Sequence, residues 1–177
     1  MVGAADRIVN EAQPIVDTRL SDGSRVNIVL QPVSLDGSCI SIRKFCGIPM
    51  NLAYLVQSEA ISEEAAELLK LLVKAGYNIF ISGGTGSGKT TFLNALSEYI
   101  PEGERVITIE DSAELQLNNI KNLVRLETRP ANGQGAQEIS IRDLIRTALR
   151  MRPDRIIVGE VRGAEALDML QAIICTI

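Results

Sequence analysis

The chain contains 177 residues, of which 46% are hydrophobic and 23% charged, a composition typical of a folded globular protein. Its 22 acidic residues outnumber its 18 basic residues and give a net charge of −4, which argues against general nucleic-acid binding because that needs a basic surface. There is no histidine, so Ser-His-Asp and Cys-His catalysis and histidine-ligated metal sites are excluded.

The cysteines and the apolar segments predict the cellular compartment. Cys39, Cys46 and Cys175 form no CxxC pair, which indicates buried free thiols in a reducing compartment. No apolar stretch reaches the roughly 18 residues that span a bilayer, and charged residues near the N-terminus replace the apolar core of a signal peptide. We therefore expect a cytoplasmic protein.

Three short strand-like runs open the sequence, with turn residues between them. Polar and apolar residues alternate through the second run, which is typical of a half-buried strand. A meander of this size is too small to fold well alone, so it predicts the C-terminal part of an N-terminal domain over residues 1–44, followed by a linker over 45–60. The three runs are residues 14–20, 25–31 and 39–44.

The rest of the chain, residues 61–177, is predicted to form a second domain. A helical stretch over 52–75 contains Ser62 as a candidate cap, and short apolar strands then alternate with amphipathic helices. This alternation predicts a parallel sheet covered on both faces. The strands are 79–81, 105–109, 124–127 and 155–158, and the helices are 90–99, one that begins at Ser140, and 164–174.

Residues 83–90 read GGTGSGKT and match the pattern G-x-x-x-x-G-K-[ST] in full, between an apolar strand and an amphipathic helix. Glycines allow successive backbone N–H groups to point at one anion, and the following helix adds its positive end. Lys89 is expected to reach the β- and γ-phosphates of a nucleotide, Thr90 to ligate Mg²⁺ and Thr91 to touch the α-phosphate. The residues predicted to bind nucleotide are Gly84, Thr85, Gly86, Ser87, Gly88, Lys89, Thr90 and Thr91.

Acidic residues end two predicted strands, where parallel sheets place their ligand chemistry. Glu160 follows an apolar strand, with Gly159 where many phosphate-loop enzymes have Asp, and Glu110 ends the strand at 105–109. Solvated caps at strand ends are the alternative interpretation of both. Arg25 and Arg43, at strand ends of the N-terminal module, are candidates for an arginine finger.

Arginines recur every four residues along one predicted helix, at Arg142, Arg146 and Arg150. The simpler interpretation is a solvated helix face, and the alternative is an interface stripe.

Four segments together resemble the type II and type IV secretion and pilus-assembly ATPase superfamily, most closely its tight-adherence (Flp) pilus branch. They are GGTGSGKTT at 83–91, ITIEDSAEL at 107–115, LIRTALRMRPDRIIVGEVRG at 144–163 and EALDMLQA at 165–172. The resemblance implies an α/β fold: a RecA-like P-loop NTPase with a mainly parallel sheet, preceded by the end of a small α+β N-terminal domain.

For the site, the resemblance implies a Walker A loop at 83–91 that binds ATP and an Asp box whose Glu110 is the catalytic base. It implies an atypical Walker B segment at 156–160, whose Glu160 positions Mg²⁺ and water. Arg25 and Arg43 are implied to approach the nucleotide. Family members continue beyond LQA and begin before Asp22, so we expect this chain to be a fragment.

For the whole protein, the resemblance implies a Mg²⁺-dependent ATPase motor that powers pilus assembly or protein secretion. Its expected partners are the other subunits of a homo-hexameric ring and inner-membrane platform proteins, with peripheral membrane association only and no direct nucleic-acid contact. A nucleotide-binding interaction module without turnover is one alternative. A RecA-like nucleic-acid translocase is another, which stimulation of ATPase activity by single-stranded DNA would reveal.

Overall fold

The computed structural model describes residues 9–44, 51–129, 137–161 and 163–175. The chain divides into two compact units, Met1–Pro49 and Met50–Ile177. The division falls inside the segment 45–60 that the sequence predicts as a linker, and residues 45–50 of that segment lie outside the described ranges.

The N-terminal unit contains an antiparallel sheet of three strands in the order β1-β2-β3. The predicted alternation in the second strand is confirmed, since Val26 and Ile28 are buried on one face. The prediction that the cysteines are buried is wrong for Cys39, which is exposed because it pairs with Val29 on an edge strand that is exposed throughout. Cys46 and the Cys175 side chain lie outside the described part of the chain. The strands are β1 (Ile15–Arg19), β2 (Arg25–Val29) and β3 (Cys39–Arg43).

The single helical stretch predicted over 52–75 is wrong, because the C-terminal unit begins with two helices, α1 (Leu52–Gln57) and α2 (Glu63–Lys74). Between them Glu59 adopts a left-handed φ of 57°, which interrupts the helical hydrogen bonds. Ser62 then caps α2 as predicted, accepting a hydrogen bond from the Ala65 N–H. Helix α1 lies within the predicted linker, yet Leu52 is fully buried in the core of this unit.

The strand predicted at 79–81 is also absent, since this segment forms no ladder with another strand of the described ranges. Ile79 and Ile81 nevertheless pack against a core cluster, whereas Phe80 between them is 62% exposed. A continuous apolar run of three residues predicts a short strand buried on both sides, and the exposed Phe80 contradicts that burial. Strand pairing additionally needs a neighbour in register, which the pattern does not specify.

The remaining strands form a parallel sheet in the order β5-β4-β6, with β4 at its centre. Val106 of β4 belongs to the core cluster that includes residues of the first helices, and Ile107 belongs to the cluster that packs under α4. Successive residues of a strand point to opposite faces, so the predicted covering of both faces is confirmed. The elements are α3 (Lys89–Ser97), β4 (Arg105–Glu110), β5 (Asn122–Glu127), α4 (Ile141–Ala148), β6 (Arg155–Val158) and α5 (Glu165–Cys175).

Two arginines of α4 make ion pairs with α5. Arg142 Nε lies 2.8 Å from Asp168 Oδ2, and Arg146 Nη2 lies 3.2 Å from Asp168 Oδ1. Asp168 is only 6% exposed, so the two guanidinium groups compensate a carboxylate that burial would otherwise penalise. Arg142 and Arg146, whose side chains are 52% and 58% exposed, thus lie on a solvated helix face, as the simpler interpretation predicts, and also join two helices within the unit.

Side chains tie together the N-terminal ends of the parallel strands. The Arg105 guanidinium donates to the Met151 carbonyl and to Asn122 Oδ1, and the Arg105 N–H donates to Asp154 Oδ2. Arg155 makes a two-bond ion pair with Glu104. These contacts hold this edge of the sheet in register, and the opposite edge carries the candidate site.

Candidate functional site

The glycine-rich loop at 83–88 is an exposed turn that leads directly into α3. Gly86 and Gly88 have φ values of 75° and 87°, in the left-handed region that favours glycine. A Cβ added at Gly83 would lie 2.6 Å from Ser87 Oγ, so a larger residue there would require the Ser87 hydroxyl to move. The sequence pattern therefore corresponds to a backbone that needs its glycines.

Lys89, the first residue of α3, turns its side chain back over this loop. Its Nζ donates to the Gly83 carbonyl at 2.9 Å and to the Gly84 carbonyl at 2.7 Å. A lysine ammonium carries three donors, and these carbonyls use two of them. The cation is thus held over the loop.

The N-terminus of α3 has no compensating negative charge on its own first turn. Its N-cap Gly88 provides no side-chain hydrogen bond and its first turn contains no acidic residue, whereas Ser62 and Ser140 cap α2 and α4 and acidic residues follow them. The first N–H groups of a helix carry a partial positive charge and attract anions. This end of α3 and the Lys89 ammonium are therefore the positively charged groups beside the loop that would attract a phosphate group.

Glu110, at the C-terminal end of β4, is 2% exposed. Its Oε2 accepts hydrogen bonds from the backbone N–H groups of Glu114 at 2.6 Å and Leu115 at 2.9 Å. Its Oε1 is buried and accepts no hydrogen bond from the residues that the structure describes. In this conformation, one oxygen of the carboxylate holds the loop between β4 and β5 (residues 111–121).

The structure brings Glu110 and the Glu160 segment together at one edge of the sheet. Val158 pairs with Ile109, and the Gly159 N–H donates to the Ile109 carbonyl at 2.8 Å. A Cβ added at Gly159 would lie 3.0 Å from Glu110 Cγ, so glycine leaves the space in which the Glu110 side chain lies. The half-buried Glu160 follows immediately.

Two residues that the sequence did not single out join these elements. Asn94 of α3 accepts a hydrogen bond through Oδ1 from the Gln116 N–H at 2.9 Å, and Arg125 of β5 donates to the Leu115 carbonyl at 3.0 Å. An amide in the middle of a helix that otherwise favours apolar residues is a weak signal for such a contact, and the partner is not visible from the sequence.

Arginines line up across the N-terminal sheet. Arg19 of β1 pairs with Arg25 of β2, which pairs in turn with Arg43 of β3, so three arginines share one cross-strand row. Arg25 and Arg43 were predicted from the sequence, and Arg19 emerges only from the strand register.

Within the described ranges, no three cysteine or acidic side chains converge as a metal-binding cage. A magnesium ion held mainly by substrate phosphates needs only one or two protein ligands. Two half-buried side chains carry oxygen atoms of the type that Mg²⁺ prefers as ligands. They are Thr90, in the first turn of α3, and Glu160, after β6. In the same ranges, no helix has the length and apolar character needed to cross a bilayer.

Comparisons with known proteins agree with one another. Residues 4–175 match the family model described as type II/IV secretion system protein. A putative conjugal transfer protein of Mycobacterium tuberculosis is 43% identical over 176 residues, covering 96% of this chain and 50% of that protein. The type IV secretion system protein PtlH of Bordetella pertussis is 38% identical over 189 residues, covering 94% of this chain and 56% of that protein. The chain thus spans about half the length of these relatives.

Two solved structures resemble the fold. The VirB11 ATPase of the Brucella suis type IV secretion system, solved in complex with sulphate, aligns with a TM-score of 0.53 and 29% identity and covers 97% of this chain and 57% of that one. The Legionella pneumophila ATPase DotB aligns with a TM-score of 0.55 and 22% identity over 98% of this chain and 46% of its own. The predicted α/β fold with a parallel sheet is confirmed.

Proposed function

The chain belongs to the family of type II/IV secretion system proteins, and from this membership we propose that it is the nucleotide-binding part of an ATPase motor that powers secretion or pilus assembly. The observation that carries the proposal is the loop at 83–88, with its left-handed glycines, the Lys89 cation above it and an uncapped helix after it. The tight-adherence branch stays a prediction, because the Mycobacterium relative is a putative conjugal transfer protein and the Bordetella relative is a type IV secretion system protein.

In the proposed site, ATP lies with its phosphates on the loop amides and the N-terminus of α3. The ligands are Gly84, Thr85, Gly86, Ser87, Gly88, Lys89, Thr90 and Thr91. Mg²⁺, held by Thr90 and Glu160 together with the phosphates, would neutralise charge that develops during hydrolysis. Glu160 would also orient the attacking water, and Lys89 would stabilise the terminal phosphates.

Glu110 is proposed as the base. This role needs the Oε1 oxygen, since Oε2 is occupied by two backbone amides of the loop after β4. Arg25 and Arg43 are proposed to contact the nucleotide phosphates, where their planar guanidinium groups suit bidentate binding. The cross-strand register adds Arg19 to this set.

A second candidate function is a nucleotide-binding module without turnover. The burial of Glu110, which is 2% exposed, and its hydrogen bonds to backbone amides favour it, because a base must reach the attacking water. A measurement of ATP hydrolysis distinguishes the two candidate functions.

The site is tested with the Lys89→Ala and Glu160→Gln variants of the full-length protein. Lys89→Ala removes the cation over the loop, and we expect a loss of ATP affinity of at least about tenfold in titration calorimetry, since a charged hydrogen bond is worth about 1.5–3 kcal/mol. Glu160→Gln should retain ATP binding within about twofold and lose Mg²⁺-dependent hydrolysis by about 10²-fold or more.

The matched control is Glu138→Gln, an exposed carboxylate outside the site, which should leave both properties unchanged. Tight ATP binding without any hydrolysis in the wild type would favour the module without turnover. Absence of ATP binding in the wild type would contradict both candidates.

In the cell, we propose that the protein acts on the cytoplasmic side of the inner membrane. It would assemble with copies of itself into a homo-hexameric ring and with membrane platform proteins of the secretion or pilus apparatus. The support for this assembly is the family membership and the naming of PtlH as a type IV secretion system protein.

A further inference from the structure

Three consecutive residues of the loop between β4 and β5 are held through their backbone by side chains from three different elements. The Glu110 carboxylate of β4 accepts from the N–H groups of Glu114 and Leu115. Arg125 of β5 donates to the Leu115 carbonyl, and Asn94 of α3 accepts from the Gln116 N–H. We call residues 114–116 the clamped segment.

The clamp acts on the main chain. These four hydrogen bonds go to amide and carbonyl groups of residues 114–116, so the clamp itself uses none of the side chains of the segment. The Leu115 side chain, 1% exposed, is buried in the core cluster that also contains residues of α3. Separating the segment from α3 or from Glu110 would therefore unpair buried polar groups and expose an apolar side chain, both of which cost free energy, so the three are expected to move together.

Asn94 connects this clamp to the phosphate loop. It lies five residues after Lys89 on α3, about 7.5 Å along the helix axis at 1.5 Å per residue. A helix of this length moves largely as one body, so a displacement of its N-terminus is shared by Asn94. Gln116 is hydrogen-bonded to Asn94, and its neighbours are hydrogen-bonded to Glu110. A continuous polar path runs from the helix that begins at the phosphate loop to the Glu110 carboxylate.

We propose that Asn94 is a positioning residue that couples the phosphate-loop helix to Glu110 through the backbone of Gln116. When nucleotide shifts the N-terminus of α3, Asn94 moves the clamped segment, and the segment moves the carboxylate that it holds. The proposal rests on the proposed nucleotide binding at the phosphate loop, and it assigns to Asn94 a role in turnover without contact with nucleotide.

Hydrogen–deuterium exchange of the full-length protein, with and without a non-hydrolysable ATP analogue, tests the coupling in wild type, Asn94→Ala and Asn94→Asp. In wild type, the amides of the clamped segment should be protected, and the analogue should change their exchange rates. Asn94→Ala should raise exchange of the Gln116 amide by about tenfold, the equivalent of one lost hydrogen bond, and abolish the response to the analogue. Asn94→Asp retains an acceptor oxygen and should restore the response.

Kinetics provide a readout that a purely structural role would not move. Asn94→Ala should lower kcat for ATP hydrolysis by about three- to tenfold while the Kd for the analogue stays within about twofold, because the lost bond is remote from the phosphates. The matched control is Glu98→Gln, a change at the exposed residue that caps the C-terminus of α3, and this variant should behave as wild type.

The outcomes separate the two proposals. Failure of the wild type to bind the analogue overturns the proposed nucleotide site. Binding by the wild type without any change in the clamped segment, an unchanged response in Asn94→Ala, or failure of Asn94→Asp to restore it overturns the coupling through Asn94.

Discussion

At the scale of single residues, the contact between Gly159 and Glu110 explains an unusual feature of the site. Gly159 stands after β6, where many phosphate-loop enzymes have an acidic residue, and a Cβ at this position would lie 3.0 Å from Glu110 Cγ. The buried Glu110 side chain takes the space that a side chain at 159 would need. Glycine at 159 therefore leaves room for the Glu110 side chain beside the end of β6, and Glu160 is the acidic residue that follows it.

Gly159→Ala tests this interpretation. The added methyl group should displace Glu110, weaken its bonds to the 114 and 115 amides and destabilise the protein by about 1–3 kcal/mol, as overpacking does. Urea denaturation measures the change, and Gly103→Ala is the control because a Cβ there meets nothing within 4 Å. Equal stabilities of the two variants would show that Glu110 accommodates the methyl group freely.

At the scale of elements, the capping box at the start of α4 links helix stability to pH. Ser140 Oγ accepts from the Asp143 N–H, and the Asp143 carboxylate accepts from both the hydroxyl and the N–H of Ser140. The Ser140 hydroxyl, followed by the backbone N–H, holds the pKa of Asp143 below its ordinary value. The carboxylate is therefore charged in the folded protein at pH values where it is protonated in the unfolded chain.

The sign of the effect follows from this lowered pKa. The contribution of the cap is complete above the unfolded pKa of about 3.9 and is lost as the pH falls through the lower folded value. Ser140→Ala should lower the melting temperature at pH 7, and the difference from wild type should narrow below about pH 4. Calorimetry across this pH range measures the difference in melting temperature between the two proteins. A difference that does not change with pH would show that the Asp143 carboxylate contributes nothing to the cap.

At the scale of the whole molecule, the proposed ring predicts assembly. Gel filtration with light scattering on the full-length protein should give a mass near that of a single chain or small oligomer without ATP and about six chains with ATP and Mg²⁺. Lys89→Ala should fail to assemble on ATP addition, since it lacks the cation over the loop. A mass that is the same with and without ATP would contradict nucleotide-driven assembly.

Local sequence patterns predicted most of the helices and strands. They failed where an element depends on pairing with a distant strand or on one unusual backbone conformation. Strand β6 was predicted at its observed residues, and the caps at Ser62 and Ser140 were predicted because capping depends on neighbours within one turn. The helix over 52–75 was predicted without its break, which depends on the left-handed backbone at Glu59. The strand at 79–81 was predicted without regard to a partner, and it has none in the described residues.

The amino-acid sequence was enough to predict the phosphate-loop pattern, the parallel arrangement of the second unit and the family, because each can be recognised from short segments and their order along the chain. Folding in three dimensions was needed for the burial of Glu110 against Gly159, the contact of Asn94 with Gln116 and the row that adds Arg19 to Arg25 and Arg43. These contacts join residues that are 6 to 49 positions apart, and only strand register and helix packing bring such residues together.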